Sequence, residues 1–465
     1  MGQMPEGWVA RFGDVSEAEE ALLAVAGQEP TTPATMETVE GGFVFRLKEW
    51  IEQPEQVHIE DRGDAGMAMW MGHPINVVND FEPRSLWGLR GGEKFTVLDA
   101  RMHVDGGSNF LPQQRYEASL LLDGAHVDGP DTRAVAVRYD FARPDAGWLN
   151  TPGIVTREGL VEAWQDELCS GLIWTPHEGE SIHQLAHRFS TTLTVLLHLW
   201  TGRPIEITRT QILLPDGQWY PLVEAREPQP GRRRATELLD LSSLDLATVA
   251  TWLDLAHQMG PVPHIAVHEG LPVQAGAQVI ATTLESFHRR LKGNARLFTP
   301  RITTGQLDRA KKAARNAAVE SLAEVAVDPA TVRQAFDEAL GHIDEPTYAD
   351  RLHQLLPDVA AAAPGLLGPD LSAWIHTMKE IRNVQSHGTP KHDAFDQDEI
   401  SRYYVHQSSG RWALRILLLR QLIDDDRLAG ALARSNTFHY SLANLDRERL
   451  WSGFSAYDTF TKSRP

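Results

Sequence analysis

Leu371-Ser-Ala-Trp374-Ile375-His376-Thr-Met378-Lys379-Glu-Ile381-Arg382-Asn383-Val-Gln-Ser-His387-Gly388 is the stretch from which the fold of the chain's last third can be read. Leu371, Trp374, Ile375, Met378 and Ile381 recur at steps of three and four, the spacing that lines one face of a helix. Gly388 and Pro390 then stop it. His376, Lys379, Asn383 and His387 form a polar line on the same helix, because residues three or four apart lie over one another. Arg382 stands one turn after Met378, at the edge of the apolar stripe, where its head projects toward whatever packs there. His387 falls in the last turn, where the negative end of the helix dipole favours imidazolium and so brings its titration to near-neutral pH.

Working outward, Val273, Ala277, Ile280, Leu284, Phe287 and Leu291 make a second stripe closed by Gly293. Helices over about 304–326, 329–340, 346–361 and 398–423 complete an all-α bundle assigned to residues 241–430. Residues 431–465 remain as a C-terminal tail, whose Trp451, Phe454, Tyr457 and Phe460 pack back on the bundle or onto a partner. Upstream the pattern changes. Short runs rich in β-branched and aromatic residues at 43–47, 67–71, 95–102, 116–122 and 134–139, bounded by Gly, Pro and Asp, read as antiparallel strands of a sandwich or barrel. A helix over 181–201 ends at Gly202 and Pro204, and Pro215-Asp216-Gly217 joins 205–214 to 219–223 as a hairpin. The expected fold class is therefore α+β: a mobile lead over 1–40 with a short helix near 16–25, a β-rich domain over 41–225, a linker over 226–240, then the bundle.

A chain of 465 residues accommodates two or three domains of roughly 100 to 200 residues. The single cysteine, Cys169, cannot close an internal disulfide, and the first residues lack the charged-then-apolar pattern of a secretory signal, so a reducing, cytoplasmic address is expected. No apolar run reaches the length of a membrane span, so no membrane partner is expected. The net charge of −19 argues against a nucleic-acid partner until it is divided along the chain. Residues 281–465 hold 24 Lys and Arg against 23 Asp and Glu, which out of 44 and 63 leaves 20 against 40 for residues 1–280. A near-neutral rear domain with local basic clusters can touch RNA, whereas the acidic front suits a protein or small molecule.

RNA cleavage without a metal needs a group to take the 2′-hydroxyl proton, one to protonate the leaving 5′-oxygen, and a cation facing the phosphorus. Histidine suits proton transfer because its unperturbed pKa of about 6.5 lies near working pH. Arginine suits the charge, since its planar fork grips two phosphoryl oxygens and stays ionised. Asn383 could hydrogen-bond one ring nitrogen of His387 and fix its tautomer.

Here the residues meet a resemblance. Arg382-Asn383 through His387 is similar to the mark of the HEPN superfamily, an Arg and a His separated by four to six residues, often with Asn after the Arg. Together with Leu284-Glu285-Ser-Phe-His288-Arg289-Arg290-Leu291 upstream and an acidic β-rich front, it resembles the ApeA-like branch. The resemblance implies a metal-independent endoribonuclease toxin of bacterial antiphage defence by abortive infection. Its front domain would sense a phage-derived trigger and its helical domain would cut host RNA, tRNA among the candidates. It further implies a homodimer with two motifs facing one cleft, Arg382, Asn383 and His387 as catalytic residues, and Glu285, His288, Arg289 and Lys379 lining or bracing that cleft. No cofactor and no metal are implied.

Plainer readings stand beside these. Arg382 and His387 could be a solvated helix end, and Glu285 with Arg289 an ion pair on a helix surface. His288-Arg289-Arg290 could be an exposed basic turn, and Arg309, Lys311, Lys312 and Arg315 a solvated helix face rather than an RNA track. His183 and His187, four apart and preceded by Glu180, suggest a metal pair without a third ligand. Trp70, Trp87, Trp148 and Trp174 suit an aromatic core better than a ligand pocket. The rival functions are a non-catalytic HEPN module that binds a nucleotide or a protein, and a metal-dependent hydrolase using the histidine pair.

Overall fold

The computed structural model describes residues 18–39, 42–49, 51, 57–61, 67–71, 83–105, 113–141, 147–149, 151–165, 169–224, 237–293, 296–298, 301–325, 327–386 and 396–463. The chain divides into two compact units. One comprises Met1–Leu197, Pro204–Arg234 and Leu241–Leu253, the other His198–Arg203, Ala235–Asp240 and Asp254–Pro465. The division is interleaved, so the sequence-predicted linker over 226–240 is no simple cut, and its residues 226–236 lie outside the described ones.

The first unit holds strands β1 (Glu19–Val25), β2 (Thr32–Val39), β3 (Gly42–Leu47), β4 (Val57–Asp61), β5 (Met67–Met71), β6 (Arg84–Arg90), β7 (Glu93–Asp105), β8 (Gln113–Ala118) and β9 (Leu120–Asp123). β10 (Arg133–Ala134), β11 (Ala136–Phe141), β12 (Ile154–Val155), β13 (Gly159–Gln165), β14 (Ser170–Pro176), β15 (Glu180–Ser181), β16 (Ile207–Leu213) and β17 (Trp219–Glu224) follow. β6, β1, β2, β3 and β8 pair in that order, and the long β7 pairs with both β6 and β8, closing a six-stranded antiparallel barrel. Closure removes the open edges that would otherwise recruit other strands. Leu23, Phe43, Phe45, Leu86, Phe95, Val97 and Tyr116 fill the interior. Phe95 lies over Gly88, its register partner, where a Cβ would come within 2.1 Å of the ring.

The described part of the expected lead is thus not a lead, and the short helix near 16–25 is absent over Glu19–Val25, which forms a strand. Leu22 and Leu23 in a brief apolar run satisfy either period, and pairing of β1 with β2 and β6 decided for the strand. β9 carries the sheet out of the barrel through β17, β16, β11, β14 and β13 to β12. β16 and β17 form the expected hairpin, with Leu213 opposite Trp219 and Gly217 at φ 79° in the turn.

One face of this extension is covered by a continuous helix. Ser181 caps it with a reciprocal bond to Gln184, and α1 (Ile182–Gln184) passes through a π-turn over Leu185–Phe189 into α2 (Ser190–Thr201). The widened turn leaves carbonyls for Tyr139, whose hydroxyl donates to Leu185 O and Ala186 O at 2.8 and 3.0 Å. Phe189 stacks on Tyr139 and Trp174. Trp148 and Trp174 are buried core, while Trp87 stacks on His126. The side chain of Trp70 lies outside the described residues.

The helices α3 (Leu246–Met259), α4 (Val262–Val267), α5 (Val273–Lys292), α6 (Thr304–Ser321), α7 (Pro329–Gly341), α8 (Tyr348–Ala362), α9 (Leu371–Ser386) and α10 (Gln397–Leu419) follow, with α11 (Asp425–Arg434), α12 (Asn436–Arg447) and α13 (Ala456–Lys462). α10 is the buried axis of the second unit, with Tyr403, Val405, Trp412 and Leu414 through Leu419 all inside. α5 crosses it closely because Gly276 faces Gln407 and Gly410 faces Ile280. Of the two placings expected for the C-terminal segment, its described residues 431–463 take the first and pack back on α10. Phe438 packs edge-on against Trp412 at 4.8 Å and Phe460 at 5.0 Å, and Asp446 accepts the Ser455 hydroxyl and the Ala456 N–H. Among the described residues no helix is long and apolar enough to cross a membrane.

Candidate active site

α5 buries Ala277, Ile280, Ala281, Leu284 and Phe287, and this places Glu285 and His288 at the margin of its apolar face. α9 buries Trp374, Ile375, Met378 and Ile381 and so carries Arg382 to the same place. There Arg382 Nη2 lies 3.1 Å from Glu285 Oε2, with the carboxylate side chain 11% exposed and the guanidinium 37%. Arg382 Nη1 donates to Asn383 Oδ1 at 3.4 Å, and the guanidinium sits 5.4 Å from the centre of the Tyr348 ring. Burial, with Glu285 beside it, pushes the Tyr348 hydroxyl well above its ordinary pKa, so the ring is a neutral floor.

The other oxygen of Glu285 accepts from Arg289 Nε and Nη2 at 3.2 and 3.1 Å, and Arg351 Nε lies 3.8 Å from it. Glu345 Oε2 is shared by Arg289 at 3.4 Å and Arg351 at 3.7 Å. Its Oε1 meets His342 Nδ1 at 2.9 Å, and that bond, then the Arg289 charge, holds the Glu345 carboxyl below its usual range. Three guanidiniums against two carboxylates leave this cluster positive, and its positive edge is the half-exposed one. Glu285 and Arg289 are therefore no surface ion pair, because the carboxylate is enclosed by arginines from three helices.

His288 is fully buried and belongs to no exposed basic turn. Arg351 Nη1 lies 3.4 Å from its Nδ1 and Gln354 Oε1 lies 2.8 Å from its Nε2. Since arginine can only donate, Nδ1 accepts and Nε2–H donates. Burial first, and the charge of Arg351 besides, lower the His288 pKa, so the ring is neutral and braces Arg351. Lys379 is exposed on α9. His376 lies 3.5 Å from Glu380, and Arg402 reaches that glutamate at 3.2 Å. His387 lies outside the described residues.

Arg351, Glu345, Tyr348 and Gln354 were missed from sequence. The available signal was Arg351 standing within the apolar stripe Tyr348, Leu352, Leu355, Val359, where an arginine is buried only with partners. The histidine pair of the first unit leads elsewhere. His183 Nδ1 lies 3.4 Å from Asp99 Oδ2, and Glu180 pairs with Arg188. Among the described residues no three His, Cys, Asp or Glu side chains gather as a metal site requires.

Compared with models of protein families, residues 279–423 match the one described as Apea-like HEPN, a span that contains Glu285, Arg289, Arg351 and Arg382. No curated protein and no solved structure matches the chain.

Proposed function

We propose, on the match of residues 279–423 to the Apea-like HEPN family, that the chain is a metal-independent endoribonuclease effector of bacterial antiphage defence. The observation that carries this reading is the Arg382 guanidinium, clamped by a buried carboxylate yet half-exposed at the positive edge of the cluster. Such a group is aimed before substrate arrives, which is what stabilising a phosphoryl transition state requires. HEPN domains generally act as dimers, and the proposed cleft is formed where two copies of Arg382-Asn383 and His387 face each other.

In the proposed reaction an RNA 2′-oxygen loses its proton to a histidine and attacks the adjacent phosphorus. The bond from phosphorus to the 5′-oxygen breaks, and that oxygen takes a proton from a histidinium. His387 supplies this proton traffic, while Arg382 holds the non-bridging oxygens through the crowded transition state. The products are a 2′,3′-cyclic phosphate and a 5′-hydroxyl, and no redox partner is needed. Host RNA, tRNA included, is the proposed substrate and a phage-derived trigger on the β-rich unit the proposed switch.

The test is incubation of purified protein with total cellular RNA. Arg382→Ala and His387→Ala should each lower cleavage by on the order of 10³-fold with helical content unchanged. Full cleavage by both variants removes these residues from the mechanism. Tight RNA or nucleotide binding without cleavage by the unaltered chain identifies a binding module instead.

A further inference from the structure

Tyr404, Gln407, Arg411 and Arg415 fall within roughly 80° of arc on α10, at 100° per residue. This polar stripe runs along the buried axis of the second unit, in the groove between α4 and α5. On one side Arg415 Nε donates to Ala266 O at 2.9 Å, with Nη2 3.9 Å from Glu269 Oε1. On the other, Gly276 and Ile280 of α5 face Gln407 and Gly410, so α5 and α10 run in the same direction. Residues 268–272 join the two sides.

Two side chains of the stripe are without a partner among the described residues. Gln407 is 7% exposed, yet its amide makes no hydrogen bond, and Arg411, half-buried one turn on, has neither an ion pair nor a hydrogen bond. Burial lowers the Arg411 pKa, and the nearby Glu269 and Tyr404 offset only part of that. Arginine leaves water this far only against a partner. The Gln407 amide occupies the space that Gly276 leaves empty, with Nε2 1.8 Å from where a Cβ would stand. Cα–Cβ bonds tilt toward a helix N-terminus, so that space borders the first turn of α5. α5 begins after Pro272 with no side-chain cap and no acidic residue in its first turn, which leaves its leading N–H groups and the positive end of its dipole uncompensated. The Arg411 head leans the same way, because helical side chains point back toward their own N-terminus and α10 runs parallel to α5.

We propose that this groove is an anion site for a phosphate group, free or at the end of a larger molecule, held by Gln407 Nε2, the Arg411 fork and the first-turn N–H groups of α5. A carboxylate offers two oxygens in one plane, whereas donors arriving from two helices match the tetrahedral spread of a phosphate. The charge balance suits it. Arg411 and Arg415 face Glu269, itself 43% exposed, and Glu448, the other acid near Tyr404, accepts from the Ser401 hydroxyl at 2.6 Å.

The site is separate from the Arg382 cluster, since Glu285 lies about 18 Å along α5 from Val273 at 1.5 Å per residue. The depth of Gln407 admits a single terminal phosphate and not a continuous backbone, whose phosphates carry sugars on both sides. A bound phosphate ties the start of α5, the helix that carries Glu285, to α10.

The experiment is calorimetric titration of the full chain with inorganic phosphate. Binding at about 1 mM or tighter is expected. Gln407→Leu and Arg411→Leu should each weaken it at least about ten-fold. Arg382→Ala should leave it unchanged, which separates this site from the phosphoryl grip of the proposed nuclease. Arg411→Leu removes a charge without a partner, so in the absence of phosphate it should melt no lower than the unaltered chain. In the unaltered chain, phosphate should slow phenylglyoxal modification of Arg411, read by peptide mass spectrometry, and this holds whether or not the variants fold. Displacement of phosphate by a short RNA with a 5′-phosphate but not by its 5′-hydroxyl form assigns the site to RNA ends. Displacement by neither assigns it to small phosphate-bearing molecules. No binding heat from the unaltered chain, undiminished binding in both groove variants, binding lost only in Arg382→Ala, or unslowed modification of Arg411 overturns the site.

Discussion

Arg382 on α9 and Glu285 on α5, separated by 97 positions in sequence, meet at 3.1 Å between Nη2 and Oε2. The carboxylate is enclosed and the guanidinium is half in solvent, so the pair works as a mount for the arginine. Arg289 and Arg351 on the far oxygen stop the carboxylate from turning. A fork held in this way loses little freedom when it grips a phosphate.

Glu285→Gln keeps the shape of the mount and removes its charge, leaving three arginines around a neutral amide. Breaking an enclosed ion pair while its partners remain is costly, about 2 to 3 kcal/mol after allowance for the exposed sides of Arg289 and Arg382. RNA cleavage should fall at least about ten-fold beyond any loss of folded protein. Urea unfolding beside single-turnover cleavage checks both, and a variant equal to the unaltered chain in each would show that the mount is dispensable.

Cleavage should persist in excess EDTA and leave 2′,3′-cyclic phosphate ends, because the proposed proton transfers use side chains alone. End mapping by phosphatase and ligase sensitivity reads this directly. Strict dependence on added divalent metal, or 5′-phosphate products, contradicts the acid–base scheme.

His406 gives a pH signature of the helical unit. It is 2% exposed, stacks on Trp374, and donates from Nδ1 to Arg402 O at 2.7 Å. Burial lowers its pKa to about 4, against an ordinary 6.5. A depressed histidine stabilises the fold fully above its unfolded value, and that stability is lost as pH falls toward the folded one. Between pH 6.5 and 4 the loss should be about 3 kcal/mol at 1.36 kcal/mol per unit. His288, lowered chiefly by burial, adds in the same direction. Unfolding followed by tryptophan fluorescence should show a shallower acid slope in His406→Leu. An identical slope would mean that His406 does not titrate in this window.

At the crossing of α5 and α10, a Cβ on Gly410 would sit 2.6 Å from Ile280 Cγ2. Gly410→Val should therefore force the helices apart and cost about 1 to 3 kcal/mol, lowering the melting temperature. The same substitution at Gly305, where nothing lies within 4 Å, serves as the control. Equal melting temperatures would mean that the crossing yields without strain.

The sequence by itself determined those features whose signal is local. Met378 and Ile381 at helical spacing announced α9, Pro215-Asp216-Gly217 announced the turn between β16 and β17, and Arg382-Asn383 with the upstream Glu285 pointed to the HEPN resemblance. Tertiary structure decided the rest, because a side chain's partners are set by burial and contact across the fold. Leu23 lies in a strand because β2 and β6 flank it, and β7 closes a barrel because it is long enough to pair with β6 at one end and β8 at the other. Phe438 and Phe460 became core only when Trp412 met the first of them. No spacing rule joins Arg351 on α8 to Glu285 and His288 on α5. The enclosed position left that arginine stable only against their carboxylate and ring nitrogen, and folding supplied both.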